Sequence, residues 1–390
     1  MRRPGWERVA FVFFLLGVAC VPAIAVANIA YGLCLASTLV WRTLAWRAGE
    51  DFLGPFRRTS PLHAPIGAFV LLSILACFFS TLPLRSLLQL KGFGTFLILP
   101  FAIAFVTDMS DAELVLDLWR LTAVYLILRG VLDLLEGRGG LGSRLEGGMS
   151  HMSFSGLLMV LVLMIGSRGM RRGEPRGSRI ADLAVAAAAA VIIAFTLTRN
   201  AYLGLFVGLV TLVLVARPGL SLFVPPALVG LYLLAPESVR DRARSSFDPA
   251  DETARDRVVM WKAGAKMIAD RPFFGVGPGR IKEIYPVYRE PGFVDPHPGH
   301  LHDNVITTAA ETGIPSALAY LAFVGTFFVH ALRRAAAPPS PAVLALTRGS
   351  IATMAALFVA GVFEYNFGDV KMLMAMLVLS ALPFAVREPG

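Results

Sequence analysis

The sequence predicts an all-α, polytopic integral membrane protein of about twelve transmembrane helices, because apolar runs near twenty residues recur along it. Two further observations carry this reading. Of 390 residues, 56% are hydrophobic and 16% charged, against roughly 45–50% and 25% in soluble domains. The arginines are also divided unevenly between alternate connections, as positive-inside topology requires. This balance excludes an ordinary soluble domain, a disulfide scaffold and a disordered regulator.

The elements follow in order. Two closely joined spans cover 9–24 and 25–41, with Pro22 near the break. Arg2, Arg3 and Arg8 precede an apolar run that lacks an Ala-x-Ala exit, so the pair reads as retained spans rather than a cleaved leader. Further spans lie at 62–80, 89–107 and 113–129, the last carrying Arg120. Four more cover 152–167, 181–198, 201–216 and 219–235. After a long polar stretch come 314–332, 345–363 and 369–386. Cys20, Cys34 and Cys77 all fall in apolar runs and behave as small buried hydrophobes. The chain thus divides into an N-terminal bundle (1–235), a loop (236–313) and a C-terminal group of helices (314–390).

Charge fixes the orientation. With the N-terminus inside, the inner loops hold 16 arginines and the short outer loops five. Arg168, Arg171, Arg172, Arg176 and Arg179 form the strongest anchor. Both termini are therefore expected in the cytoplasm. The net charge of +9 reflects these loops. No zinc finger, helix-turn-helix or RNA-binding aromatic pair points to nucleic acid.

Residues 236–313 then face outward, and a connection this long is expected to carry function. The loop concentrates Arg and Lys and holds His297, His300 and His302, half of the six histidines. Val258 to Trp261 and Ala263 to Ile268 read as an amphipathic helix on the outer membrane-facing surface. A Gly-rich turn, Gly275-Val276-Gly277-Pro278-Gly279, follows Pro272. Asn304 to Thr312 reads as a helix broken near Gly313 and Pro315.

Guanidinium groups bind phosphate bidentately, and imidazole takes up a proton near neutral pH. Together they suit transfer of a group from a lipid pyrophosphate to an alcohol. Arg199 sits at a span boundary with Asn200 opening the next span. It is either a snorkelling interface residue or a phosphate ligand beneath the loop. Asp295, His297, His300, His302 and Asp303 offer metal-ligand types, but no recognised zinc spacing surrounds them, and no metal or other cofactor is expected. The glycines lack the Lys-Ser/Thr of a nucleotide loop, so they read as a tight turn. Asp270, Glu283 and Glu311 are candidate partners for a histidine or an arginine. Glu364 and Tyr365 are expected on the outer side, lining the same cavity, and Asp369 and Lys371 at the membrane interface.

These loop residues resemble the O-antigen ligase/polymerase superfamily. The resemblance is carried by Arg257-Val258-Val259-Met260-Trp261-Lys262-Ala263, Met267, Asp270-Arg271-Pro272 and the Gly-rich turn. His300-Leu301-His302-Asp303-Asn304, Glu311-Thr312-Gly313 and Thr198-Arg199-Asn200 extend it. It is sharp over roughly 195–325; elsewhere it rests on multispan architecture. One departure stands out. The family form has His followed directly by Asn, whereas here Asp303 separates His302 from Asn304, which leaves the base open between His300 and His302.

The resemblance implies a GT-C-type glycosyltransferase architecture in a bacterial inner membrane, with a periplasmic active site. It implies a metal-independent, inverting transfer of a glycan from undecaprenyl pyrophosphate to a hydroxyl of lipid A–core. By motif position Arg199 and Arg257 bind the pyrophosphate and His302 is the base; Arg280 and His300 are added from local chemistry. Trp261, Gly277, Tyr285 and Asn304 are taken as supporting residues. The alternatives are a polysaccharide polymerase and a protein O-oligosaccharyltransferase. A lipid-linked glycan flippase or a membrane scaffold stands outside the enzyme class. A flippase predicts charges near the middle of several spans, and Lys91, Arg120 and Arg348 are its few candidates.

Overall fold

The structure is a computed structural model. It describes residues 3, 5–139, 143–171, 173–234, 237, 240, 241, 244, 252–290 and 297–387. Arg2, Arg172 and Asp295, which enter the sequence reading above, lie outside the described residues.

The chain opens with a helical hairpin, α1 (Gly5–Ala19) and α2 (Ile24–Arg47), bent beside Pro22 as the sequence predicts. Gly17 makes the close crossing: a Cβ there would lie 2.7 Å from Cζ of Tyr31. Next come α3 (His63–Phe78) and a segment broken into α4 (Pro83–Leu87), α5 (Leu90–Phe93) and α6 (Ile98–Phe105). A long helix, α7 (Met109–Leu135), starts at Asp108, whose side chain accepts the Asp111 N–H at 3.1 Å and so caps the first turn. Three helices follow: α8 (His151–Gly169), α9 (Arg176–Phe195) and α10 (Arg199–Ala216). The short α11 (Val224–Leu234) comes after them.

Helix α8 is the axis of the bundle: it is buried along most of its length and packs against α7, α9 and α10. Two glycines bring α10 close to its neighbours. A Cβ on Gly204 would meet the Ala356 carbonyl at 3.0 Å, and one on Gly208 would meet Leu163 at 2.4 Å. Small residues at such crossings let helices approach in a setting where water supplies no driving force.

Seven helical segments among the described residues are long and apolar enough to cross a membrane: Ile24–Arg47, Pro83–Phe105, His151–Gly169, Arg176–Phe195, Arg199–Ala216, Ile314–Ala336 and Pro341–Ala360. His63–Phe78 and Val370–Ala385 are apolar but shorter. The remaining expected spans differ in length or charge. Helix α1 has 15 residues and α11 has 11. Helix α7 is long enough at 27 residues but is studded with charge, and that charge has a structural explanation. Arg168 of α8 contacts both oxygens of the buried Asp182 on α9 at 2.8 Å, and Asp117 of α7 at 2.9 Å. Arg120 reaches Asp182 at 3.4 Å. The network ties three helices together, and removing Arg168 or Asp182, the buried pair at its centre, costs about 3–5 kcal/mol because it strands a buried charge.

The segment between the two membrane groups folds on itself. Helix α12 (Glu252–Asp270) covers the amphipathic stretch and is followed by α13 (Ile281–Tyr288) and α14 (Asn304–Thr312). Met260, Ala263, Met267, Val276, Ile281, Tyr285, Leu301 and Ala310 form a small core separate from that of the bundle. The buried stripe of α12 therefore serves this protein core, not the membrane surface the sequence suggested. Gly313, at φ 90°, turns the chain into α15 (Ile314–Ala336). Helix α16 (Pro341–Ala360) is capped by Ser340 and α17 (Val370–Ala385) by Asp369.

Candidate active site

Two chain crossings hold the outer layer on the bundle. At the first, the Gly-rich turn meets the α3–α4 connection. Thr81 N–H and the Thr81 hydroxyl both donate to the Val276 carbonyl, at 3.1 and 2.9 Å. Gly277 has φ 114°, and a Cβ there would lie 1.9 Å from the Ser80 hydroxyl. Only glycine fits, for both steric and conformational reasons. The turn also clasps α14: Val276 N–H donates to Ala310 O and Gly277 N–H to Glu311 O, both at 2.8 Å. The Glu311 carboxyl accepts from Gly279 N–H at 3.0 Å, and its complete burial pushes its pKa up to about 8.

At the second crossing, Asn304 bolts the start of α14 to the α16–α17 connection. Its amide donates to Tyr320 Oη at 3.1 Å and to Asn366 Oδ1 at 2.7 Å. Its carbonyl oxygen accepts from Phe367 N–H at 2.9 Å, and its own N–H donates to Gly361 O at 2.7 Å. The helix cap itself is Asp303, whose side chain accepts from Ile306 N–H at 2.6 Å. The Asp303 insertion thus separates two tasks: Asp303 caps the helix and Asn304 fastens the neighbouring loop.

That fastening carries Glu364 to the histidines. Glu364 Oε2 lies 3.1 Å from Nδ1 of His302, and Oε1 lies 3.4 Å from Nε2 of His300. Burial would raise the carboxyl pKa, but the hydrogen bond to His302 and the two nearby rings bring it below its ordinary value. An ionised carboxylate only accepts hydrogen bonds, so Nδ1 of His302 carries the proton it shares with Glu364. His300 is occupied at both nitrogens: its Nδ1 accepts from His302 N–H at 3.3 Å, and its Nε2 faces Glu364. Burial lowers the His300 pKa and keeps that ring neutral. Among the described residues no hydrogen bond engages Nε2 of His302, and this side chain retains 25% exposure.

Backbone conformation marks the same places. The two non-glycine residues with positive φ among those described are Leu197 (49°) and His302 (50°). One lies two residues before Arg199 and the other is the histidine whose Nδ1 faces Glu364. Such conformations cost of order 1–3 kcal/mol and persist where surrounding contacts over-determine them.

A cavity of about 330 Å³ opens beside the cluster, walled by His300, Glu364, Tyr365, Asn200, Asp369 and Ser155 among others. The sequence places Glu364 and Tyr365 near this space. Asp369, read there as an interface residue, caps α17 and also lines the cavity. The polar groups Ser150 and Ser155 carry no sequence signal, because serine is common in membrane helices. Arg257 and Trp261 of α12 both lie near Phe363, the neighbour of Glu364, at 6.0 and 6.4 Å from its ring centroid. Arg199 adjoins the cavity through Asn200.

The other proposed residues stand further away. Arg280 is buried and pairs with Glu283 at 2.9 Å. Tyr285 is fully buried in the small core of the outer layer, and Gly277 belongs to the clasp. The ligand atoms of His300, His302 and Glu364 lie within 4.8 Å of one another, a donor set that suits a zinc-type ion. Hydrogen bonding already accounts for the same contacts.

The fold is an all-helical, multi-pass membrane architecture that carries a histidine–carboxylate cluster. The family described as O-Antigen ligase matches residues 183–321, the stretch from α9 to the first turns of α15. Over that segment, about a third of its length, the chain is similar to this family. No curated protein matches the chain.

Proposed function

We propose that the protein is an inverting glycosyltransferase that moves a glycan from undecaprenyl pyrophosphate to a hydroxyl of lipid A–core on the periplasmic face of the inner membrane. The observation that carries this reading is the Glu364–His302 pair, with Nδ1 held by the carboxylate and Nε2 left for substrate. This is the arrangement of a general base oriented by a third group. It favours His302 over His300, whose two nitrogens are both engaged.

In the proposed reaction Nε2 of His302 takes the acceptor hydroxyl proton as the oxygen attacks the anomeric carbon. The bond from that carbon to the diphosphate oxygen breaks, and attack opposite the leaving group inverts the centre. Negative charge grows on the departing diphosphate. Arg199, next in sequence to the cavity-lining Asn200, and Arg257, 6.0 Å from the Phe363 ring, stabilise it in this reading. Arg280 supports the reading less directly, since it is already paired with Glu283. Glu364 is a positioning residue that holds the His302 tautomer and offsets the imidazolium charge.

The test is deletion of the gene in the native host, restored by wild type or His302→Ala at equal membrane abundance. Surface lipopolysaccharide and lipid-linked glycan are then resolved by gel. Long glycan accumulating on undecaprenyl pyrophosphate above bare core is the expected result for the variant. Core carrying one repeat without a ladder would identify a polymerase instead. Normal transfer by a correctly inserted His302→Ala protein would overturn the base assignment.

A further inference from the structure

The cavity beside the histidines has a charge character unlike that of the loop above it. Its lining includes two acidic side chains, Glu364 and Asp369, and neither Lys nor Arg among the described residues. The histidine on its wall, His300, is held neutral by burial. A diphosphate brought into this space would meet like charge at short range in a poorly screened site, which is unfavourable. Arg199 and Arg257 are not among the lining residues: Arg199 precedes the lining Asn200 in sequence, and Arg257 lies 6.0 Å from the ring of Phe363, the sequence neighbour of Glu364. The lining thus presents carboxylates and no cationic side chain among the described residues.

The lining suits another chemistry. Ser150, Ser155, Asn200 and Asn366 supply hydroxyls and amides, while methionines such as Met159 and Met372 supply an apolar floor. Two glycines keep the space open and shaped. A Cβ on Gly156 would lie 2.8 Å from the Met372 sulfur, and one on Gly368 would lie 2.1 Å from the Tyr365 ring. The volume of about 330 Å³ falls at the small end of ligand sites, which run from roughly 300 to 1,000 Å³. Asp369 is the most constrained polar group. Its Oδ1 accepts from Lys371 N–H at 2.8 Å and Met372 N–H at 3.2 Å, and its Oδ2 accepts from the Ser153 hydroxyl. A carboxylate can accept about four hydrogen bonds. Three are filled from the protein, and the fixed group retains capacity for one more at the cavity wall.

We infer that this cavity seats an uncharged, polyhydroxylated sugar ring of the reacting glycans, excluding the diphosphate, and that Asp369 helps select the ring by accepting one of its hydroxyls. The inference rests on the transferase reading above and names what the inner part of that site holds. The ring belongs either to the acceptor or to the first sugar of the donor; the chemistry required of the cavity is the same.

The experiment uses the full chain in nanodiscs and saturation-transfer NMR with methyl glycosides of glucose, galactose, rhamnose and N-acetylglucosamine. At least one glycoside is expected to receive saturation, and inorganic pyrophosphate should leave that signal unchanged. Asp369→Asn retains a residue that caps helices well and should weaken binding about tenfold or more, the value of one hydrogen bond to a charged group. Asn200→Ala, which leaves the α17 cap untouched, should weaken it as well. Displacement by soluble core oligosaccharide assigns the ring to the acceptor, and displacement by lipid-linked glycan assigns it to the donor. Absence of glycoside binding overturns the inference. So do competition by pyrophosphate, unchanged affinity in both variants, or displacement by neither glycan. His302→Ala separates this inference from the base assignment, because it should abolish transfer while keeping glycoside binding. Normal transfer by that variant removes the base and leaves the sugar site standing.

Discussion

Replacing Glu364 by Gln should slow glycan transfer while leaving substrate affinity nearly unchanged. The carboxylate lies 3.1 Å from His302 Nδ1 and 3.4 Å from His300 Nε2. When Nε2 of His302 accepts a proton, the first contact becomes an ion pair. Coulomb's law at an effective dielectric of about 20 gives a ceiling of about 5 kcal/mol at this distance. Hydrogen bonds to charged groups are worth about 1.5–3 kcal/mol net. The lower range applies here, since the rings are 25% and 33% exposed although Glu364 is buried. The corresponding loss in kcat is about 10- to 150-fold. A larger loss, toward about 10⁴-fold, follows if the glutamine N–H faces Nδ1 and reverses the tautomer, as loss of the orienting carboxylate does in the serine protease triad. The assay is transfer by purified protein from a lipid-linked glycan, with kcat and KM measured separately for donor and acceptor. A folded Glu364→Gln enzyme within twofold of wild type, beside an inactive His302→Ala enzyme, would refute the positioning role.

Three further outcomes are expected. Glu311, with its pKa raised from 4.5 to about 8, stays protonated when folded over a range in which the unfolded chain has released its proton. Its stabilising contribution is therefore complete below about pH 4.5 and is lost as pH rises through about 8; Glu311→Gln should flatten that slope in thermal unfolding measured from pH 5 to 9. Gly277→Ala sets a Cβ 1.9 Å from the Ser80 hydroxyl at a φ of 114°, and should lower Tm. Adding Ser80→Ala should restore only the steric part, and a Gly277→Ala protein as stable as wild type would contradict the clasp. Asn304→Ala removes three side-chain hydrogen bonds and leaves the buried Phe367 N–H without its acceptor, at about 1–3 kcal/mol for each stranded group. It should reduce both detergent-solubilised stability and transfer, because the loop carrying Glu364 loosens; unchanged stability with normal transfer would contradict the bolt.

Much was legible before the structure. Composition and apolar periodicity fix an all-helical membrane protein, because a backbone in lipid must satisfy its own hydrogen bonds within each segment. The hairpin at Pro22 and the helix ending at Gly313 follow from local backbone chemistry, where proline lacks a donor and glycine accepts positive φ. Length and charge were less decisive for span count. Helix α7 carries charges that a hydropathy window penalises, and contacts across helices explain them, Asp117 with Arg168 of α8 and Arg120 with Asp182 of α9.

The chain order of the loop motifs, and their family likeness, also came from sequence, because short-range spacing survives without knowledge of the fold. The choice between His300 and His302 did not. It depends on Glu364, 62 residues from His302, and on which ring nitrogen each contact occupies. Tertiary structure likewise pairs Arg280 with Glu283 and sets Arg257 6.0 Å from the Phe363 ring, neither of which the sequence announces. It also set Asp369, which the sequence left as an interface residue, on the cavity wall and at the start of α17. A residue type announces what chemistry is available; the distance and direction of its partner decide which atom performs it. Those are set by helix packing across long sequence separations, and no local pattern encodes them.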